Sequence, residues 1–139
     1  MALTRKQIEE HTVEYYRTAV GTRPDLRVVE SEYGRVVVKD FRHSDLLFRL
    51  IVGPILIRRE AGALRRLTGV AGIPDFVGRI DRYAVAMAHV PGISLDKKCD
   101  TPLDNGFYDD LRRTIDEMHE RGVAHCDLRS RGNVMIGED

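Results

Sequence analysis

Near the C-terminus the chain reads Met118-His119-Glu120-Arg121-Gly122-Val123-Ala124-His125-Cys126-Asp127-Leu128, followed by Arg129-Ser130-Arg131-Gly132-Asn133-Val134-Met135-Ile136. An apolar helical pattern ends at a glycine, a short apolar step follows, and a carboxylate and an amide then bracket a polar stretch that leads into another apolar run. A carboxylate placed in such a loop can orient a hydroxyl and take its proton. An amide oxygen nearby can give a hard divalent cation a neutral ligand. Asp127 and Asn133 are the candidates for these two jobs. Both residue types also serve turns for local hydrogen-bonding reasons, but the helix signal before the pair and the strand signal after it agree with the chemical reading.

A second constellation lies upstream. Lys39 ends the β-prone run Val36-Val37-Val38. From about Ile55 to Leu67 the spacing predicts a helix whose apolar stripe runs through Ile57, Ala61, Leu64 and Leu67, with Glu60 on or beside it and most of the arginines elsewhere. A carboxylate pressed against a core face is costly unless paired. Lys39, delivered by the preceding strand, is the expected partner; an arginine one turn away on the same helix is the alternative.

From about Val36 onward these residues resemble the protein-kinase-like superfamily. The likeness is greatest to its small bacterial members: serine/threonine-kinase-like proteins, RIO-type kinases and lipopolysaccharide core (Kdo and heptose) sugar kinases. The resemblance implies an α+β fold with a small sheet-plus-helix lobe, a hinge and the start of a helical lobe, in segments 1–25 (a helical extension), 26–90 and 91–139. It implies phosphoryl transfer from ATP, with Mg2+, to a hydroxyl of a protein Ser/Thr or of a lipid-linked sugar. In that reading Asp127 orients the hydroxyl, Arg129 neutralises the transferred phosphate, and Asn133 ligates metal. Lys39, held by Glu60, grips the nucleotide phosphates, while backbone groups of Ala88 and Val90 hold adenine after Met87.

The chain departs from the family pattern in three places. Cys126 stands where regulated protein kinases carry Arg, so the cation that would pair with a phosphorylated activation loop is missing. The interval from Asp127 to Asn133 is one residue longer than in the family motif. No Asp-Phe-Gly segment precedes Asp139. The 139 residues alone are therefore expected to have little activity, and a non-catalytic module that binds nucleotide or a partner is the competing class.

Composition agrees with a soluble globular protein: 42% of residues are apolar and 32% charged. Basic and acidic residues balance at 22 each, which gives no sign of nucleic-acid binding. Residues 41–80 hold seven basic and three acidic side chains, a local excess suited to anionic ligands or to a solvated helix face. Two cysteines make neither a disulfide framework nor a zinc site. With no signal-peptide pattern at the N-terminus, the expected location is cytoplasmic. The one greasy run, 46–57, is too short to span a bilayer. It is expected either to be buried or to form an interfacial patch that brings the enzyme to the inner face of a membrane.

For the remaining elements, Thr4 is expected to cap a helix running to about Ala19. Strands follow at Leu26–Glu30 and Arg35–Asp40 around a turn at Ser31-Glu32-Tyr33-Gly34, where kinases carry a glycine-rich lid over the phosphates and this chain has only Gly34. A hairpin of Phe76–Ile80 and Tyr83–Val90 comes next. A helix opening at Thr101-Pro102 then carries Leu103, Phe107, Leu111, Ile115 and Met118 on one stripe, with His125 expected to be packed.

Overall fold

The structure is a computed structural model that describes residues 3–95, 102–125 and 134–137. The described chain divides into two units, residues 1–68 with 74–89, and residues 69–73 with 90–139.

The first unit opens with α1 (Arg5–His11), where Thr4 and Gln7 form a reciprocal capping box. The helix is shorter than the sequence pattern suggests. At Thr12 the chain turns extended, and β1 (Thr12–Arg17) occupies the second half of the predicted helix. Thr12, Val13, Tyr15 and Tyr16 explain the switch, since β-branched and aromatic side chains fit a pleated surface better than a helical one. The segment expected to be one helical extension is therefore a short helix packed on the sheet followed by the strand β1. β2 (Asp25–Ser31), β3 (Gly34–Asp40), β4 (Phe76–Arg79) and β5 (Ala84–Ala88) complete a five-stranded antiparallel sheet in the order β1-β2-β3-β5-β4.

Cross-strand partners share a face, and the register sorts the sheet cleanly. Asp25, Arg27, Val29, Val36, Val38, Asp40, Ala84 and Ala86 line one face. Leu3 and Ile8 pack there with Val29, Val36, Val38, Ala84 and Ala86, so α1 and its lead-in cover this side. The other face carries Leu26, Val28, Val37, Lys39, Val85 and Met87. The long helix α2 (Gly53–Arg66) lies against β4 and β5, with Gly53, Ile57, Ala61 and Leu64 buried at spacings of four, four and three.

A π-helical turn, Phe48–Val52, leads into α2. Pro54, in the first turn of α2, has no amide to give and interrupts the hydrogen-bond ladder; Gly53 N–H reaches back five residues to the Phe48 carbonyl. The segment is not buried. Leu46, Leu47, Leu50, Ile51 and Ile55 are all exposed, Leu47 at 74% and Ile51 at 62%. Burial of the greasy run is therefore ruled out for most of it. The inner side is satisfied by Phe48 against Phe41, with ring centroids 5.6 Å apart, and by the buried Gly53 and Ile57.

In the second unit β6 (Gly92–Ser94) pairs with β7 (Met135–Gly137), and Leu95 N–H donates to the Val134 carbonyl at 2.8 Å. The close approach needs glycine at position 92: its φ is +145°, and a Cβ there would sit 2.1 Å from the Ile136 carbonyl oxygen. α3 (Asn105–Glu120) is capped by Asp104, which accepts from Phe107 N–H at 2.8 Å, so it begins later than the Thr101-Pro102 start read from the sequence. Leu103 precedes the helix. Phe107, Leu111 and Ile115 are half-buried and Met118 buried, which preserves the rest of the stripe. His125, expected to be packed, is exposed.

Candidate functional site

The site begins with a consequence of strand alternation. Lys39 and Asp40 are neighbours near the end of β3, so their side chains leave opposite faces of the sheet. Lys39 projects on the side of α2, where Glu60 stands at the edge of the buried stripe, one residue before Ala61. Lys39 Nζ donates to Glu60 Oε2 at 2.6 Å. The two side chains keep 26% and 28% of their surface, which leaves the ammonium reachable by an anion from outside while its position is set by the carboxylate. The expected partnership is formed, and among the described residues Glu60 makes no ion pair with an arginine of its own helix.

The register also locates a loop that the sequence reading missed. Arg17, Leu26, Lys39 and Val85 form one row across four strands. The β1–β2 loop, residues 18–24, continues from that row and lies at the Lys39 end of the sheet. The Ser31–Gly34 turn lies at the other end, about 17 Å away along β3 at the usual strand rise. Loop 18–24, and not the 31–34 turn where the lid was expected, is therefore the one beside Lys39. The error follows from reading β1 as helix, which removed a hairpin from the meander.

Loop 18–24 holds Gly21, at φ +58°, and is tied down on several sides. Asp45 N–H donates to the Gly21 carbonyl at 2.8 Å, Ser44 Oγ to the Arg23 carbonyl at 3.0 Å, and Ala19 N–H to Asp25 Oδ1 at 2.6 Å. Asp25 Oδ2 also meets His43 Nδ1 at 2.7 Å. A hollow of about 930 Å³ opens beside the loop, lined by Tyr15, Tyr16, Arg17, Thr22, Arg23 and Asp45 among others. Neither Lys39 nor Glu60 lines it, so it is not the pocket of the ion pair. Burial and the nearby Arg23 charge hold the Arg17 guanidinium below its ordinary pKa.

At the end of β5, Met87 shares the Lys39 face, and Ala88 N–H donates to the Asp75 carbonyl at 2.8 Å. That amide is committed to the sheet. His89 N–H extends the pairing by donating to the Arg35 carbonyl at 3.2 Å. Val90, half-buried, belongs to the second unit. Asp127, Arg129 and Asn133 lie outside the described residues, as do both cysteines. Among the described residues no group of three or more His, Cys, Asp or Glu could hold a metal ion.

No protein-family profile and no curated protein matches the chain. Solved structures do. The kinase domain of Mycobacterium tuberculosis PknI aligns over 92% of this chain at 19% identity with a TM-score of 0.58, and a variant of that domain aligns over 91% at 18% with a TM-score of 0.63. Rio2 kinase from Chaetomium thermophilum, in an ADP/Mg2+-phosphoaspartate complex, aligns over 75% at 19% with a TM-score of 0.54. The chain spans about half the PknI domain (54%) and 36% of Rio2. The fold is thus protein-kinase-like, α+β, with the five-stranded sheet and α2 corresponding to the sheet-plus-helix lobe and α3 to the start of the helical one.

Proposed function

We propose that this chain carries the nucleotide-holding part of a kinase-type phosphotransferase that uses ATP and Mg2+ to phosphorylate an alcohol. The observation that carries the reading is the Lys39–Glu60 pair, 2.6 Å apart and partly open to solvent in a kinase-like fold. A lysine that is fixed by a carboxylate yet still reachable suits a polyphosphate, because its position is set before the ligand arrives. Glu60 is the positioning residue and Lys39 the one that touches phosphate. The Ala88 carbonyl and the Val90 backbone would meet adenine. Magnesium, when bound, would neutralise charge between the nucleotide phosphates; the side chains offered for it and for the acceptor are Asn133, Asp127 and Arg129. A protein Ser/Thr or a lipid-linked sugar hydroxyl is the proposed acceptor class, in the cytoplasm.

The pinned loop 18–24, with Gly21 as its one glycine, favours a second reading. A loop with one glycine, held in place through its Gly21 and Arg23 carbonyls, lets little backbone approach phosphate closely, which suits a module that binds nucleotide without turnover. Calorimetric titration with Mg-ATP, paired with transfer of labelled γ-phosphate, separates the two on this chain and on any longer form that contains it. The enzyme reading expects Asp127→Asn to keep nucleotide affinity and to lower transfer about 10²–10⁴-fold. Transfer unchanged by Asp127→Asn sinks the assigned role. Binding with no transfer in any form supports the module.

A further inference from the structure

We infer that the exposed apolar ridge from Leu46 to Ile55, together with the outer face of α2, is a docking surface for an anionic lipid bilayer. The pairs Leu46 and Leu50, Leu47 and Ile51, and Ile51 and Ile55 are each four residues apart along a helical segment and share its outer side. All five residues are more than half exposed. They are aliphatic and contiguous, unlike the scattered exposed apolar residues of an ordinary surface.

Charge identifies the occupant. Residues 46–66 contain five arginines and one acidic residue, Glu60, which faces Lys39 on the inner side. Arg58 and Arg59 continue the outer face of α2 one turn past Ile55, are exposed, and form no ion pair among the described residues. A ridge of aliphatic side chains bordered by unpaired arginines is the arrangement that lets apolar groups enter the acyl boundary while guanidinium groups meet lipid phosphates. A second copy of this chain fits less well, because a two-fold contact through this face brings the same arginines towards each other. A protein partner is also disfavoured: anchor residues at protein interfaces are enriched in aromatics, whereas the exposed members here are leucine and isoleucine, and Phe48 is engaged with Phe41. No described helix is long and apolar enough to cross a membrane, so the contact is with the surface.

The test is flotation of the purified chain with vesicles of phosphatidylcholine alone and of equal parts phosphatidylcholine and phosphatidylglycerol, at low and high salt. Salt-sensitive binding to the anionic vesicles is expected. Arg58→Glu with Arg59→Glu should weaken it at least about fivefold per charge. Leu47→Glu with Ile51→Glu should abolish it, and since both side chains are already exposed, circular dichroism and the unfolding midpoint should stay as they were. Absence of binding to anionic vesicles overturns the inference, as does binding indifferent to Leu47→Glu with Ile51→Glu. Concentration-dependent self-association lost in that same variant, without lipid binding, assigns the face to a second copy and overturns it too.

Discussion

Lys39 and Asp40 are adjacent in sequence, and their surroundings could hardly differ more. On one face Lys39 meets a single carboxylate, and both groups keep about a quarter of their surface. On the other, Asp40 is fully buried and receives Arg5 from α1 and Arg27 from β2, the latter at 3.0 Å, while Arg42 N–H donates to its second oxygen at 2.9 Å. Arg5 also pairs with Asp81 at 2.7 Å, so one arginine ties α1 to β3 and to the β4–β5 turn. Arg27 lies under the Tyr15 ring, 5.7 Å from its centroid, with its Nε unpartnered among the described residues. The cluster around Asp40 uses nearly all of its hydrogen-bonding capacity internally. The half-open pair keeps part of its capacity for a ligand. Burial and saturation, more than the mere presence of charge, separate a sealed ion cluster from one that an outside anion can reach.

The largest effect is expected from breaking the closed side. Asp40→Ala leaves Arg27 buried and Arg5 half-buried without their common partner, and removing one member of a buried charge network costs about 3–5 kcal/mol. Urea denaturation should show that loss or a chain that does not fold; a change below about 1 kcal/mol would mean that the cluster is not what joins α1 to the sheet.

The open side should respond oppositely. Lys39→Met is expected to leave the unfolding free energy within about 1 kcal/mol and to weaken Mg-ATP binding by about tenfold or more, the worth of a charged hydrogen bond to phosphate. Glu60→Gln should weaken binding less, and the double variant should lose less than the sum, because either change already breaks the contact. Strictly additive losses in a double-mutant cycle of nucleotide affinity would count against a shared role.

The smallest effect concerns acid. Burial alone would raise the Asp81 carboxyl, but hydrogen bonds from the Arg5 guanidinium and the Tyr83 amide outweigh it and hold the group below its ordinary range. A carboxylate lowered in the folded state contributes stability that is whole above the ordinary carboxylate pKa and drains away as pH falls through the lowered value. The unfolding midpoint should therefore decline on acidification, and Asp81→Asn should flatten that part of the profile. An unchanged profile in Asp81→Asn would assign the acid sensitivity elsewhere.

Where local pattern and tertiary environment agree, the chain could be read directly. The Glu60 reading succeeded because a carboxylate beside a buried helical stripe needs a cation, and strand β3 offered one. β2, β3, α2 and the β4–β5 hairpin announced themselves through alternation or helical spacing, with ends displaced by a residue or two. β1 did not, because Ile8, Thr12, Tyr15 and Ala19 satisfy a helical period while β-branched and aromatic residues favour a strand, and the edge of β2 resolved the conflict. Loop 18–24 was lost with it.

By itself, the order of residues marked which groups to examine for chemistry: a lysine after a valine-rich strand, a glutamate on a helix, an aspartate and an asparagine six positions apart. Only the tertiary structure decided which loop lies at the Lys39 end of the sheet, which of two neighbouring charges would be sealed and which left open, and that most of an apolar run would face solvent. The physical reason is common to all three. Each depends on what the strand or helix packs against, and burial is set by contacts between segments far apart in the chain.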